Sequence, residues 1–303
     1  MKYQYYKIDN IAFIEADNEH GLKIVISPTG AAIYAIYFDG EIMNVTPKDK
    51  LVFMDKKSKL GKSVGPISPY KLINKDDIYQ IDGKEYKYLK ENKDIEYVIS
   101  HFLFNNKPIL DTHVFSGSYV FKKKKMKDGL PGNIQYFISY AISDYSNEIY
   151  IDVKALSDST TPMSIHNELC FSLGSKNLNE LYLTIPTNQV IDQGELQEVN
   201  KELDFRKKKN VSTRVGGYDN FYRMINKEPI ILENSKYKME LNTDYEYVKI
   251  ETDNNEVSYE SLQNDNKVHR GVKIIPHVNP LEENYISKAK RFHQITTIKF
   301  YKK

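Results

Sequence analysis

A chain of 303 residues with 40% apolar and 28% charged side chains lies in the globular range and is long enough to bury a sizeable core. Its formal net charge of +2 is too small for nucleic acid or anionic lipid to be the main partner, and a single cysteine excludes an internal disulfide. No apolar run approaches a membrane span, and Met1-Lys2-Tyr3-Gln4-Tyr5-Tyr6-Lys7 lacks the apolar centre of a signal peptide, so the cytoplasm is the expected location.

Most of the sequence reads in period two rather than 3.6, which predicts strands. In chain order these fall at 22–27, 31–38, 97–104 and 112–121. The next pair is the clearest. Ile134, Tyr136, Ile138, Tyr140 and Ile142 line one face of a run; Ile149, Ile151, Val153 and Ala155 line one face of the run after it. Ser143-Asp144-Tyr145-Ser146-Asn147 between them is turn chemistry, which predicts an antiparallel hairpin. Further strands are expected at 180–186, 237–242, 245–251, 271–278 and 294–301, with short helices at 48–57 and 284–292. Phe38-Asp39-Gly40, Asp82-Gly83 and Asp128-Gly129-Leu130-Pro131-Gly132 supply turns. Lys122-Lys123-Lys124-Lys125 reads as a solvated hairpin tip rather than a nucleic-acid patch. With no linker and no internal repeat, the fold predicted is one large antiparallel β-sandwich, all-β, with residues 1–303 as a single domain.

The chemistry concentrates in Thr161-Pro162-Met163-Ser164-Ile165-His166-Asn167-Glu168-Leu169-Cys170-Phe171-Ser172-Leu173-Gly174. His166 and Glu168 are two residues apart, so on an extended strand an imidazole and a carboxylate project from one face. A plain structural reading stands beside this for His166, a polar group paired within the sandwich. Glu168 in an otherwise apolar strand would be costly without a partner, which favours a site role. Cys170 reads as packing, and Asp204 with Arg206 as a structural ion pair. A His-x-Glu strand could also ligate a metal, but the seven histidines are scattered at 20, 101, 113, 166, 269, 277 and 293, so no metal is expected.

Other motifs fall in a fixed order around that segment: Gly30-Ala31-Ala32-Ile33, Ile81-Asp82-Gly83-Lys84-Glu85-Tyr86, Ser100-His101-Phe102, Leu130-Pro131-Gly132, Leu203-Asp204-Phe205-Arg206 and Gly217-Tyr218-Asp219. The ordered set, over about residues 20 to 301, resembles the aldose 1-epimerase (galactose mutarotase) family. The resemblance implies the mutarotase-type β-sandwich, with a sugar site on a concave sheet face. It also implies interconversion of the α and β anomers of a free hexose, with no cofactor. A carboxylate takes the C1 hydroxyl proton while a histidine protonates the ring oxygen. The implied partner is a small-molecule sugar; a homodimer is the one protein assembly left open.

The chain departs from the family where that chemistry happens. The family's acid histidine aligns with Glu168, its base glutamate with Ile275, its asparagine–arginine pair with Pro69-Tyr70, and the histidine after its glycine-tyrosine-aspartate with Asn220. His101 and Asp219 remain. Two readings follow. In one the pair is exchanged: Glu168 is the carboxylate and His101 or His277 the imidazole, His277 sharing a strand face with Ile275. In the other the protein is a catalytically inactive carbohydrate-binding protein on the same fold. Asp219 and His166 are expected to meet the sugar hydroxyls, and Tyr70 and Tyr218 to wall the sugar's C–H face.

Overall fold

Period two becomes strands nearly everywhere. The computed structural model describes residues 2–8, 11–54, 60–65, 76–89, 101–104, 113–252 and 271–303. Tyr70 and the first part of the strand expected at 97–104 lie outside the described residues; of His101 the backbone alone is described. Among the described residues, helix is confined to Lys50–Met54 and a 3-10 turn at Leu178–Glu180, and no helix is long and apolar enough to cross a membrane.

Two large antiparallel sheets face each other. The first runs, in spatial order, Lys209–Asn210, Tyr182–Thr184, Ile230–Glu233, Tyr237–Thr243, Phe292–Lys302, Glu148–Ser157, Ile134–Ser143, His113–Lys123 and His101–Phe104. The second runs Cys170–Phe171, Val272–His277, Tyr247–Thr252, Asp219–Arg223, Gln189–Asp192 and Glu195–Glu198. A third, N-terminal sheet is built from Lys2–Ile8, Ile11–Asp17, Leu22–Ser27, Ala32–Phe38 and Glu41–Ile42.

The predicted hairpin forms with Tyr136 opposite Ala155, Ile138 opposite Val153, Tyr140 opposite Ile151 and Ile142 opposite Ile149, all buried. Burial of one strand face fixes that register, because a one-residue slip would turn the whole apolar set to solvent. These side chains meet Val248, Ile250 and Ile274 of the second sheet, and Ile24 and Ile36 of the third, in one buried cluster. The second sheet therefore has one face committed to the core. Its other face carries Tyr247, Lys249, Ile275 and His277, all buried.

Three differences from the sequence reading have local reasons. The helix expected at 284–292 is absent: Tyr285–Ile286 pairs with Thr161–Pro162, and Ile286 is buried in the core, so packing overrides local preference. The helix expected at 48–57 spans only Lys50–Met54 among the described residues, started by Asp49, whose carboxylate accepts from the Leu51 N–H at 2.8 Å. The unexpected N-terminal hairpin Lys2–Ile8 with Ile11–Asp17 is held in part by stacking of Tyr6 on Phe13 at 5.5 Å. The lysine run lies at the hairpin tip, with Lys123 paired to Asp128 at 2.7 Å.

Candidate active site

The site is built on the face of the second sheet that the core does not use. Lys273, Ile275 and His277 alternate with Val272, Ile274 and Pro276 along one strand; Tyr247, Lys249 and Glu251 alternate with Val248, Ile250 and Thr252 along the next. Antiparallel pairing sets Tyr247 opposite His277, Lys249 opposite Ile275 and Glu251 opposite Lys273. The third strand sets Asp219 opposite Glu251 and Phe221 opposite Lys249. Cys170 is opposite Lys273 at the other edge, and Glu168 lies two residues before it.

A ladder of alternating charges results. Lys249 Nζ is 2.6 Å from Asp219 Oδ1 and 2.9 Å from Glu251 Oε2, and Lys273 Nζ is 2.6 Å from Glu251 Oε1. Burial disfavours the Lys273 ammonium, but Glu251 and then Glu168 outweigh it and hold its pKa above the ordinary lysine value. Burial likewise opposes the Glu251 carboxylate, while Lys273 and Lys249 bring its pKa below the ordinary one. The Lys249 side chain is 4% exposed and the Asp219 side chain 65%, so a buried ammonium lies beneath an accessible carboxylate.

Glu168 is held from behind by its own backbone. Its N–H donates to the Lys62 carbonyl at 2.9 Å, and its carbonyl accepts from the Gly61 N–H at 2.6 Å. The side chain is 2% exposed, with His166 Nε2 at 3.3 Å from Oε1. His166 and His277 are neighbours, ring centroids 5.4 Å apart, and the Phe221 ring meets His277 edge-on at 5.2 Å. His277 Nδ1 is 2.6 Å from the Val278 carbonyl oxygen, which can only accept, so Nδ1 carries the hydrogen. Burial, then the proximity of His166, pushes the His277 pKa down to about 3. The imidazole is therefore neutral near pH 7, and its Nε2 is an acceptor.

Beside this polar row, Phe221, Tyr247 and Ile191 form a small buried apolar cluster joined by Leu196 and Leu281. His277 also lines a cleft of about 240 Å3, part of it open to solvent, with Tyr79, Ser164, Asn279, Pro280 and Glu282.

Of the residues singled out in the sequence, the structure brings together Glu168, His166 and His277. It places Asp219 on the same sheet face, joined to Glu168 through the ladder. Tyr218 lies elsewhere: it is fully buried in the core, edge-on to Phe205 at 4.9 Å, its hydroxyl 3.0 Å from Thr213 Oγ1. The reason is alternation, since Asp219 takes the site face and its neighbour points the other way. The His101 side chain and Tyr70 lie outside the described residues. Asp204 and Arg206 pair at 2.8 Å on the surface, as a structural ion pair would. Lys249, Glu251 and Lys273 were missed. Their signal was present in Tyr247-Val248-Lys249-Ile250-Glu251, where charges alternate with core residues, but only cross-strand pairing shows that they meet.

The family model for aldose 1-epimerase matches residues 13–288. The chain belongs to the aldose 1-epimerase family. A search of curated protein sequences returns no match. Among solved structures, the chain is similar to galactose 1-epimerase from Lactobacillus acidophilus NCFM, with a TM-score of 0.85 and 17% identity, covering 99% of this chain and 98% of that one. It is similar also to a GalM/aldose epimerase homologue from C. elegans, with a TM-score of 0.80 and 19% identity over 96% and 99% of the two chains. A galactose mutarotase-like protein from Clostridium acetobutylicum has a TM-score of 0.73 and 15% identity over 100% and 99%. At these identities the likeness is one of fold. Within this fold Ile275 is fully buried on the site face between His277 and Lys273.

Proposed function

We propose that this member of the aldose 1-epimerase family binds a free hexose or hexose derivative in the cytoplasm and interconverts its anomers by opening and closing the ring. The observation that carries the reading is the buried Glu168 carboxylate, backed by His166, on the sheet face that also carries Asp219, Lys249 and the neutral His277. Glu168 acts as the general base on the C1 hydroxyl. His277, with its hydrogen on Nδ1, accepts a hydrogen bond from a sugar hydroxyl at Nε2, as Asp219 does from its exposed position. Phe221 and Tyr247 supply the apolar surface against which a pyranose C–H face packs. This differs from an exchanged pair with His277 as the acid, because a neutral imidazole whose one N–H is committed to Val278 has no proton to give at Nε2.

Polarimetry tests it. Added protein speeds the relaxation of freshly dissolved α-glucose or α-galactose, and Glu168→Gln lowers the rate by roughly 10²–10⁴-fold, the range of one general base. The second reading, a sugar binder without turnover, is favoured by Ile275, which cannot accept a proton. Relaxation at the buffer rate with binding heat for the same sugar would decide for the binder.

A further inference from the structure

We propose that Lys249 is the acid of this site, giving its ammonium proton to the ring oxygen as the sugar opens; the proposal rests on the anomer-interconverting reading above. Lys249 stands directly opposite Ile275 in the strand register, on the same face. Side chains in such a pair leave the backbone roughly 5 Å apart. The four-carbon stem then carries the ammonium to Asp219 at 2.6 Å and Glu251 at 2.9 Å. Two carboxylates from two neighbouring strands thus hold and aim one ammonium beside the position that aligns with the family's base.

Alternatives on this face fail on chemistry. Ile275 has no proton to exchange. The His277 N–H is committed to Val278. Lys273 sits on the strand next to Glu168, pairs with Glu251, and interacts electrostatically with Glu168, which suits it to positioning the base. The ion pairs run from Lys273 to Glu251, from Glu251 to Lys249 on the same strand, and from Lys249 to Asp219, so the Lys273–Glu251 pair stands between the base and Lys249. Relative to the pattern that the family resemblance implies, the signs are exchanged. A carboxylate stands where a histidine is expected, and a cation stands beside the place of the missing carboxylate.

The step balances. The C1 hydroxyl gives its proton to Glu168 while the C1–O5 bond breaks, its electron pair passing to O5 and a C1=O double bond forming. O5 takes a proton from Lys249, leaving a neutral amine between Asp219 and Glu251. After rotation about C1–C2, O5–H returns its proton to that amine, O5 adds to the other face of the carbonyl carbon, and the carbonyl oxygen recovers its proton from Glu168.

The test is polarimetry on the full chain with wild type, K249M, K249A and K249R, each checked by circular dichroism. Expected are an active wild type, a fall of about 10²–10⁴-fold in kcat for K249M with KM little changed, and partial recovery of K249A on adding methylamine. K249R keeps the positive charge but, because a guanidinium is not deprotonated in a protein, its kcat falls as that of K249M does. Wild type at the buffer rate overturns the anomer reading and this assignment together. An active wild type whose K249M keeps its kcat overturns the assignment alone, as does K249A that methylamine cannot restore. Should K249M or K249A lose the native dichroism, K249R decides: a kcat like that of the wild type sinks the proposal.

Discussion

His277 shows how one side chain couples the site to stability. It is buried, its Nδ1–H is spent on Val278, and it faces His166 on one side and Phe221 on the other, with Lys249 near enough to disfavour its charge further. Burial is the larger cause of a native pKa of about 3, against an ordinary histidine value near 6.5. Between those two values the unfolded chain binds a proton that the native state refuses, so stability is full above about pH 6.5 and falls as pH drops, by roughly 1.4 kcal/mol per unit at most from this group. His277→Phe should flatten that part of the acid limb. Urea unfolding of both proteins at pH 7, 6 and 5 measures it, and parallel curves would refute the assignment of the slope to His277.

The element that positions Glu168 is a backbone clasp, and it depends on Gly61. That residue has φ +71°, where a side chain is strained, and a Cβ there would stand 2.1 Å from the Ile33 carbonyl oxygen. Its carbonyl accepts from the Ile33 N–H at 2.9 Å and from the Asn167 side-chain amide at 3.3 Å, while its N–H donates to Glu168. Gly61 therefore ties the third sheet to the segment carrying the candidate base. Gly61→Ala should destabilise by about 2 kcal/mol or more, from backbone strain plus displacement of a hydrogen-bonded carbonyl. It should also slow ring opening by misplacing Glu168. Denaturant unfolding and polarimetry on the same preparation check both; a variant as stable as wild type would mean the clasp yields without cost.

At the scale of the whole molecule, the strands Val272–His277 and Tyr247–Thr252 of the second sheet each present one face to the core and the other to the candidate site. Ile274 is buried in the main cluster and borders a cavity also lined by Ile151, Val153, Leu169 and Tyr245. Truncation there enlarges an existing void instead of being filled, so Ile274→Ala should cost about 2–5 kcal/mol. Its strand neighbours Lys273 and Ile275 point the opposite way, so the rate per folded molecule should stay near wild type. A urea midpoint shift worth less than about 1 kcal/mol would show that the sandwich closes over the gap.

The sequence alone determined the all-β character, the central hairpin with its buried faces, and the face that Glu168 shares with His166. Each follows from period-two alternation, which is local. Its ordered motifs also carried the family resemblance over about residues 20 to 301. Tertiary structure decided the rest. Lys249, Glu251, Lys273 and Asp219 lie on three strands and acquire meaning only when antiparallel pairing sets them side by side. Tyr218 was drawn into the core by the parity of its position, and Tyr285–Ile286, within the expected helix, were drawn into a strand by the burial of Ile286. Alternation tells which residues share a face of one strand; only the packing of sheets tells which face meets the core and which strands become neighbours.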